Sequence, residues 1–375
     1  MIDFPILYEN GIVIPHWAWE VCGFAYFFIL ILYYRRVVYN VLWAKTKDPS
    51  KVFLFLLIMT FCVCEICTGD FIGTQETVKT YHGIDHLEVI YPTIIEFVHN
   101  NYLAFRLLLW GGGVFLMTQS FKNFGIDPYR SLFYLFASYV TYYSYTRAGV
   151  AMTVFFYGFS FLFDKKRKNR LLMLIGITLI LLSFFFHRSM ALLILLTLFS
   201  FMPLYKKLVP LYLFAIIAVF IMANYLSQQI LSIAMGVEDL SEQAEIYQLR
   251  TGTQFVGTIL SKIIFLWQKM VFHIPFWITM IALFKNQRVV HIPANILALS
   301  KLSAILYIYF MLMLFVYSSD SPFYYRYEGM MYIPLTIMVN YLYKVRVLSR
   351  KTYSRLILLG ALCLCWTFFY RIFIV

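Results

Sequence analysis

Three basic residues stand at the ends of long apolar runs, where a charge is costly to keep. Arg147 separates two such runs in the stretch TRAGVA, and His187 and Arg188 follow another in FFFHRS. The forked N–H donors of arginine suit a diphosphate, and a histidine beside one can serve as an acid, a base or a phosphate ligand. The pattern predicts an anion site. A snorkelling arginine and a capping turn at Ser189 are the structural alternatives.

A further arginine, Arg326, lies in the segment YYRYEG, with Glu328 two residues later. An ion pair within the loop is one interpretation of this spacing. Tyr327 and the two tyrosines before Arg326 could instead stack on sugar faces, although tyrosines are also common at membrane interfaces. We expect Arg326, Tyr327 and Glu328 to take part in substrate binding.

Two carboxylates are candidates for acid and base chemistry. Asp70 ends an apolar run, and Glu88 opens an amphipathic segment. Together with Glu88, the residues His82, Asp85 and His86 have a spacing that resembles metal ligands, but nothing completes a metalloprotease-like site. A polar loop or an acid/base function is favoured over a metal site, and neither a metal nor another cofactor is expected.

Membrane-spanning helices must position these residues. The 375 residues are 62% hydrophobic, 20% aromatic and only 13% charged, which excludes an ordinary soluble domain. Apolar runs of about 15–20 residues recur along the chain, so we predict an all-α polytopic protein with roughly twelve transmembrane helices. The predicted spans are residues 17–38, 52–69, 101–120, 131–145, 148–163, 171–186, 190–204, 209–226, 259–284, 301–317, 329–343 and 356–374.

The distribution of basic residues predicts the orientation. Of the 31 Lys and Arg residues, 22 lie in six gaps between spans and 9 lie elsewhere. Because basic loops stay in the cytoplasm, these gaps are placed inside and both termini outside. The net charge of +13 therefore reflects topology, and no nucleic acid is expected as a partner. The gaps are 35–51, 119–130, 164–170, 205–208, 285–301 and 344–355.

The chain is predicted to form one integral membrane domain over residues 1–375, because no repeat or separate soluble segment is evident. Its outer loops fall near 70–100, 227–258 and 318–329. An amphipathic segment at 89–98 is expected to lie in the membrane interface. With this orientation, the basic residues of the predicted anion site all reach the outer face.

The order of these motifs resembles the EpsG family of bacterial exopolysaccharide proteins, which is related to Wzy-type O-antigen and capsule polymerases. TRAGVA (146–151) and FFFHRSMAL (184–192) flank a basic turn between two spans. NNYLAFRLL (100–108) precedes them, and RYEGMMYIP (326–334) follows near the end of the similarity.

The resemblance implies a polysaccharide repeat-unit polymerase with a GT-C-type multi-span fold in the bacterial cytoplasmic membrane. Such an enzyme transfers a glycan from a polyprenyl diphosphate donor to a lipid-linked acceptor at the outer face. The expected partners are polyprenyl diphosphate-linked oligosaccharide and membrane lipid, with a chain-length regulator as a further candidate. A flippase or exporter of lipid-linked oligosaccharide, and a membrane O-acyltransferase acting on polysaccharide, are the alternatives.

In that reaction the acceptor hydroxyl must lose a proton to a base near the arginines. Adjacent arginines keep a carboxylate ionised but weakly basic, and they keep a histidine neutral and able to accept a proton. We expect the base to be a carboxylate, Glu88 ahead of Asp70, because His187 adjoins Arg188 and is then committed to the diphosphate. His187 remains the alternative base.

The predicted orientation can be tested at the basic turn between the two central motifs. In a cysteine-free background, Arg167→Cys should resist a membrane-impermeant thiol reagent added to intact cells, because the turn faces the cytoplasm. Labelling after permeabilisation is the positive control. Efficient labelling of intact cells would reverse the orientation and remove the outer-face site.

Overall fold

The computed structural model describes residues 7–8, 11–12, 28, 32, 78, 90–143, 146–163, 170–201, 214, 217–218, 221, 259–286, 292–316 and 329–373. These residues are helical, apart from turns and one short antiparallel pairing of β1 (Leu7–Tyr8) with β2 (Gly11–Ile12). The prediction of an all-α protein is confirmed at this level.

The helices follow one another through short connections. They are α1 (Ile90–Phe97), α2 (Tyr102–Arg106), a π-helical turn (Leu107–Gly111), α3 (Gly112–Asn123), α4 (Pro128–Tyr143), α5 (Thr146–Leu162), α6 (Arg170–Phe186), α7 (Met190–Phe201), α8 (Ile259–Asn286), α9 (Ala294–Val316), α10 (Tyr332–Lys344) and α11 (Arg350–Phe373). The predicted amphipathic segment is therefore the eight-residue helix α1, whose Tyr91 and Ile95 are buried.

Most predicted apolar runs coincide with helices. From α2 onward, the described helices occupy the runs that begin at residues 101, 131, 148, 171, 190, 259, 301, 329 and 356. The run 52–69 lies outside the described residues, and only isolated helical positions are described within 17–38 and 209–226. Across the described part of the chain, no helix combines the length and the apolarity that a membrane crossing requires. The number of spans and the GT-C-type arrangement stay predictions.

A capped turn joins α3 to α4 and ties both to α10. Gly125 adopts a left-handed conformation (φ 70°), which glycine accepts without steric cost. Asp127 caps α4, since its side chain accepts a hydrogen bond from the Arg130 N–H at 2.9 Å, and Pro128 occupies the first helical position. The Lys344 ammonium at the end of α10 donates to the Gly125 carbonyl. These contacts fix one end of the bundle.

Helices α4 and α10 form the centre of the described bundle. Every residue from 131 to 139 of α4 and from 332 to 342 of α10 is buried. The Tyr139 hydroxyl donates to the Val271 carbonyl of α8 at 2.9 Å. A side chain at Gly360 of α11 would overlap Ser138 of α4, so these two helices touch through their backbones. The described helices share one continuous hydrophobic core.

Helices α5 and α6 form an antiparallel hairpin held by two glycines. A Cβ atom at Gly158 would lie 2.7 Å from the Gly176 carbonyl oxygen, and one at Gly176 would lie 2.8 Å from the Gly158 carbonyl oxygen. Only glycine permits this approach, which brings the two helix axes close together. The rest of α6 buries little beyond Ile180 and Ser183 and exposes leucine, isoleucine and phenylalanine side chains.

The hairpin contact predicts unequal effects of one substitution at two glycines. Gly158→Ala should lower the thermal unfolding temperature of the purified protein, because overpacking typically costs about 1–3 kcal/mol. Gly112→Ala is the matched control, since no described atom lies within 4 Å of a Cβ there. The control should be neutral or stabilising because alanine is the better helix former. Equal unfolding temperatures for the two variants would contradict the close contact.

Candidate functional site

The glycine contact sets two of the predicted site residues at the same end of the hairpin. Arg147 lies in the first turn of α5, 11 positions before Gly158, and His187 follows α6, 11 positions after Gly176. At 1.5 Å per residue, both are roughly 16 Å from the crossing point along antiparallel helices. Arg147, His187 and the adjacent Arg188 therefore share one end of the bundle.

Tyr91 of α1 connects the two sides of that end. Its hydroxyl donates to the Arg147 backbone carbonyl at 3.3 Å. Its ring contacts Phe186, the residue before His187, in an edge-on arrangement with centroids 6.3 Å apart. It also lies 6.3 Å from the ring of Phe105 on α2. The predicted interfacial segment is thus docked on the site, and α1, α2, α5 and α6 meet around one tyrosine.

The entry to α10 reaches the same region. A Cβ atom at Gly329 would lie 3.8 Å from the Met152 methyl group of α5, five positions after Arg147. Gly329 directly follows the predicted site residues Arg326, Tyr327 and Glu328 in the sequence. The chain therefore enters the bundle next to α5, within about two helical turns of Arg147.

His187 is almost buried, at 7% exposure, and is held by the turn between α6 and α7. Its backbone N–H bonds to the Ser183 carbonyl at 3.1 Å, and its carbonyl accepts from the Met190 N–H at 3.0 Å. The Ser189 N–H donates to His187 Nδ1 at 3.2 Å, and the Ser189 hydroxyl lies 2.6 Å from the same nitrogen. A nitrogen that accepts from a backbone N–H carries a lone pair, so the neutral ring bears its proton on Nε2.

With its proton on Nε2, His187 can donate a hydrogen bond to a ligand at that nitrogen but cannot accept one there. The Ser189 hydroxyl contacts the imidazole, which differs from the capping turn considered as a structural alternative. The Arg188 side chain is exposed, and the Arg147 side chain is half-buried. One N–H donor and two guanidinium groups at the same end form an arrangement suited to an oxyanion.

Several predicted site residues lie outside the described residues. This holds for the two carboxylates proposed as bases, for the segment before α10 and for the histidines and aspartate weighed as metal ligands: Asp70, Glu88, Arg326, Tyr327, Glu328, His82, Asp85 and His86. Their expected contributions stay predictions.

Two buried cations were not singled out from the sequence. Arg106 at the end of α2 and Lys269 within α8 are each 1% exposed. Lys269 lies one turn before His273, whose Nδ1 is 2.8 Å from the Tyr307 hydroxyl of α9. The available signal was a single basic residue inside an apolar run, which by default indicates a functional position in a membrane protein.

The chain matches one known protein family over most of its length. The family model described as "EpsG family" matches residues 71–375, which is most of the chain. The chain belongs to the EpsG family. This membership confirms the resemblance seen in the motifs and indicates a function in polysaccharide biosynthesis. Neither the curated proteins nor the solved structures yield a significant match to this EpsG-family chain.

The hydrogen bonds of His187 predict its tautomer. In ¹⁵N-histidine-labelled protein, the Nδ1 resonance of His187 should be of the non-protonated type and the Nε2 resonance of the protonated type, because Nδ1 accepts from the Ser189 N–H. His187→Gln assigns the signal among the seven histidines. A protonated Nδ1 at neutral pH would show that this hydrogen bond does not form.

Proposed function

We propose that the chain is a polysaccharide repeat-unit polymerase. It transfers a glycan from a polyprenyl diphosphate donor to the terminal hydroxyl of a lipid-linked acceptor at the outer face of the bacterial cytoplasmic membrane. Membership of the EpsG family supports the reaction class. The proposed partners are polyprenyl diphosphate-linked oligosaccharide, membrane lipid and a chain-length regulator.

One observation carries the proposal. Arg147, His187 and Arg188 lie at one end of the α5–α6 hairpin, where Tyr91 contacts the Arg147 carbonyl and the ring of Phe186, the residue before His187. A diphosphate leaving group carries at least two negative charges, and positioned N–H donors stabilise that charge as it develops. Arginine offers two parallel donors to a phosphate, which fixes orientation as well as charge.

The surface of α6 supports a location in the membrane. Large apolar side chains point away from the bundle along its length, including Leu171 at 61% exposure, Leu174 at 59% and Leu181 at 53%. An apolar patch of this kind is stable against lipid but unfavourable against water. With the predicted orientation, Arg147 and His187 lie at the outer end of this helix pair.

The proposed reaction needs one proton transfer and one leaving group. The acceptor hydroxyl gives its proton to a carboxylate as its oxygen bonds to the anomeric carbon. The bond from that carbon to the diphosphate oxygen breaks, and the diphosphate leaves with the bonding electrons. Arg147 and Arg188 hold this anion, and the His187 Nε2–H donates to one of its oxygens.

The proposed base is Glu88, with Asp70 as the second choice. Glu88 stands three residues before Tyr91, whose hydroxyl is bonded to the Arg147 carbonyl. The donor geometry of His187 favours this assignment, because a ring that accepts at Nδ1 and is protonated at Nε2 has no lone pair for the substrate. Arg326, Tyr327 and Glu328 are proposed to bind the glycan or its diphosphate.

The arginine assignment predicts a strong dependence on the guanidinium group. Arg147→Lys should lower the polymerisation rate about 10²–10³-fold, the usual effect of losing a positioned donor in a transition state. Arg170→Lys is the matched control, because Arg170 is exposed at the other end of the same hairpin. The measurement is polymer formed from lipid-linked repeat units by reconstituted protein. A wild-type rate for Arg147→Lys would contradict the diphosphate function.

The proposed function also predicts which intermediate accumulates in cells that lack the protein. Single lipid-linked repeat units should collect on the outer leaflet, where externally added glycosidase can digest them. Units retained on the inner leaflet would indicate a flippase. Polymer of normal length that lacks acyl groups would indicate an acyltransferase.

A further inference from the structure

Arg106 is the most deeply buried guanidinium among the described residues, and the proposed reaction does not yet use it. It ends α2 at 1% exposure, and its guanidinium carbon lies 4.3 Å from the centroid of the Trp110 ring. Trp110 is itself 1% exposed. When a ring stacks on the face of a guanidinium, the N–H groups still point outward in the plane of the guanidinium.

The backbone at this position departs from a regular α-helix. The chain runs from α2 into the π-helical turn Leu107–Gly111 and then continues as α3 without leaving the helical region. A π-helical turn accommodates one extra residue and is frequent at functional sites. It also rotates Arg106 relative to α3, which would not occur in an uninterrupted helix.

The helices that follow Arg106 and Arg147 run side by side in the same direction, because Ser120 and Asn123 of α3 bond to Phe156 and Ser160 of α5, respectively. The Ser120 hydroxyl of α3 donates to the Phe156 carbonyl of α5 at 3.3 Å, so these two positions share a level. At 1.5 Å per residue, Arg106 lies roughly 21 Å from Ser120 and Arg147 roughly 14 Å from Phe156, in the same direction. Along the helix direction, the two arginines are therefore offset by only about 7 Å, a little more than one helical turn.

Tyr91 contacts the chain next to Arg106 and the main chain of Arg147. Phe105, next to Arg106, packs against Tyr91, and the Tyr91 hydroxyl is bonded to the Arg147 carbonyl. We propose that Arg106, oriented by Trp110 and the π-helical turn, is a binding residue for the diphosphate of the lipid-linked substrate. This inference rests on the proposed function and assigns one more ligand to its anion site.

A direct binding assay tests the binding function of Arg106 independently of polymerisation activity. The probe is farnesyl diphosphate, a short isoprenoid diphosphate without sugar, and calorimetry on the full chain in detergent measures its affinity. Arg106→Lys and Arg106→Gln should weaken binding by about 10- to 100-fold, the usual contribution of a hydrogen bond to a charged group. Lys122→Gln is the control, because Lys122 is exposed at the far end of α3. Farnesol should bind equally to all variants.

A second measurement does not require removal of the buried charge. Farnesyl diphosphate should change the tryptophan fluorescence of the wild-type protein, and Trp110→Phe should remove that change while retaining a ring against Arg106. Wild-type affinity in folded Arg106 variants, or an unchanged fluorescence response in Trp110→Phe, would overturn the inference. If the protein binds the probe through Arg106 but forms no polymer, the inference about Arg106 is supported and the proposed polymerase function is contradicted.

Discussion

The close approach of Gly158 and Gly176 is the constraint on which the candidate site depends. Small residues allow two helix backbones to approach closely and so fix how the helices are aligned. Here each glycine carbonyl occupies the space that a Cβ atom on the other would need. Because the contact is equally distant from Arg147 and His187, it aligns them at one end. A shift of one helical turn would separate them by about 5 Å along the axis.

Tyr91 performs a different task at that end. The glycine contact aligns the start of α5 with the end of α6, but it does not position α1 or α2. Tyr91 contacts both sides, through the Arg147 carbonyl and the ring of Phe186, and Phe105 joins α2 to the same point. The carboxylates proposed as bases, Glu88 and Asp70, precede α1 in the sequence, and α1 itself is docked beside Arg147. The site is assembled from short contacts between distant parts of the sequence.

Within the described residues, hydropathy located the helices well because short polar, basic or glycine-containing segments interrupt the apolar runs. The same reasoning missed Arg106 and Lys269, since one cation inside an apolar run barely changes its average. Burial and the Trp110 contact distinguish Arg106, and neither is visible in a linear sequence. The His187–Ser189 hydrogen bond was also not foreseen. A serine just before a helix usually suggests an N-cap, and only side-chain geometry shows that the Ser189 hydroxyl faces the imidazole.

The Tyr91 hydroxyl contacts Arg147 at its main chain. Tyr91 donates to a carbonyl that every amino acid possesses. This hydrogen bond is therefore available whatever residue occupies position 147, so the chemistry of that side chain can change while this contact to α1 is kept. Such separation of architecture from chemistry lets members of a protein family diverge. Substitutions at residues facing the site can accumulate while the same frame is inherited.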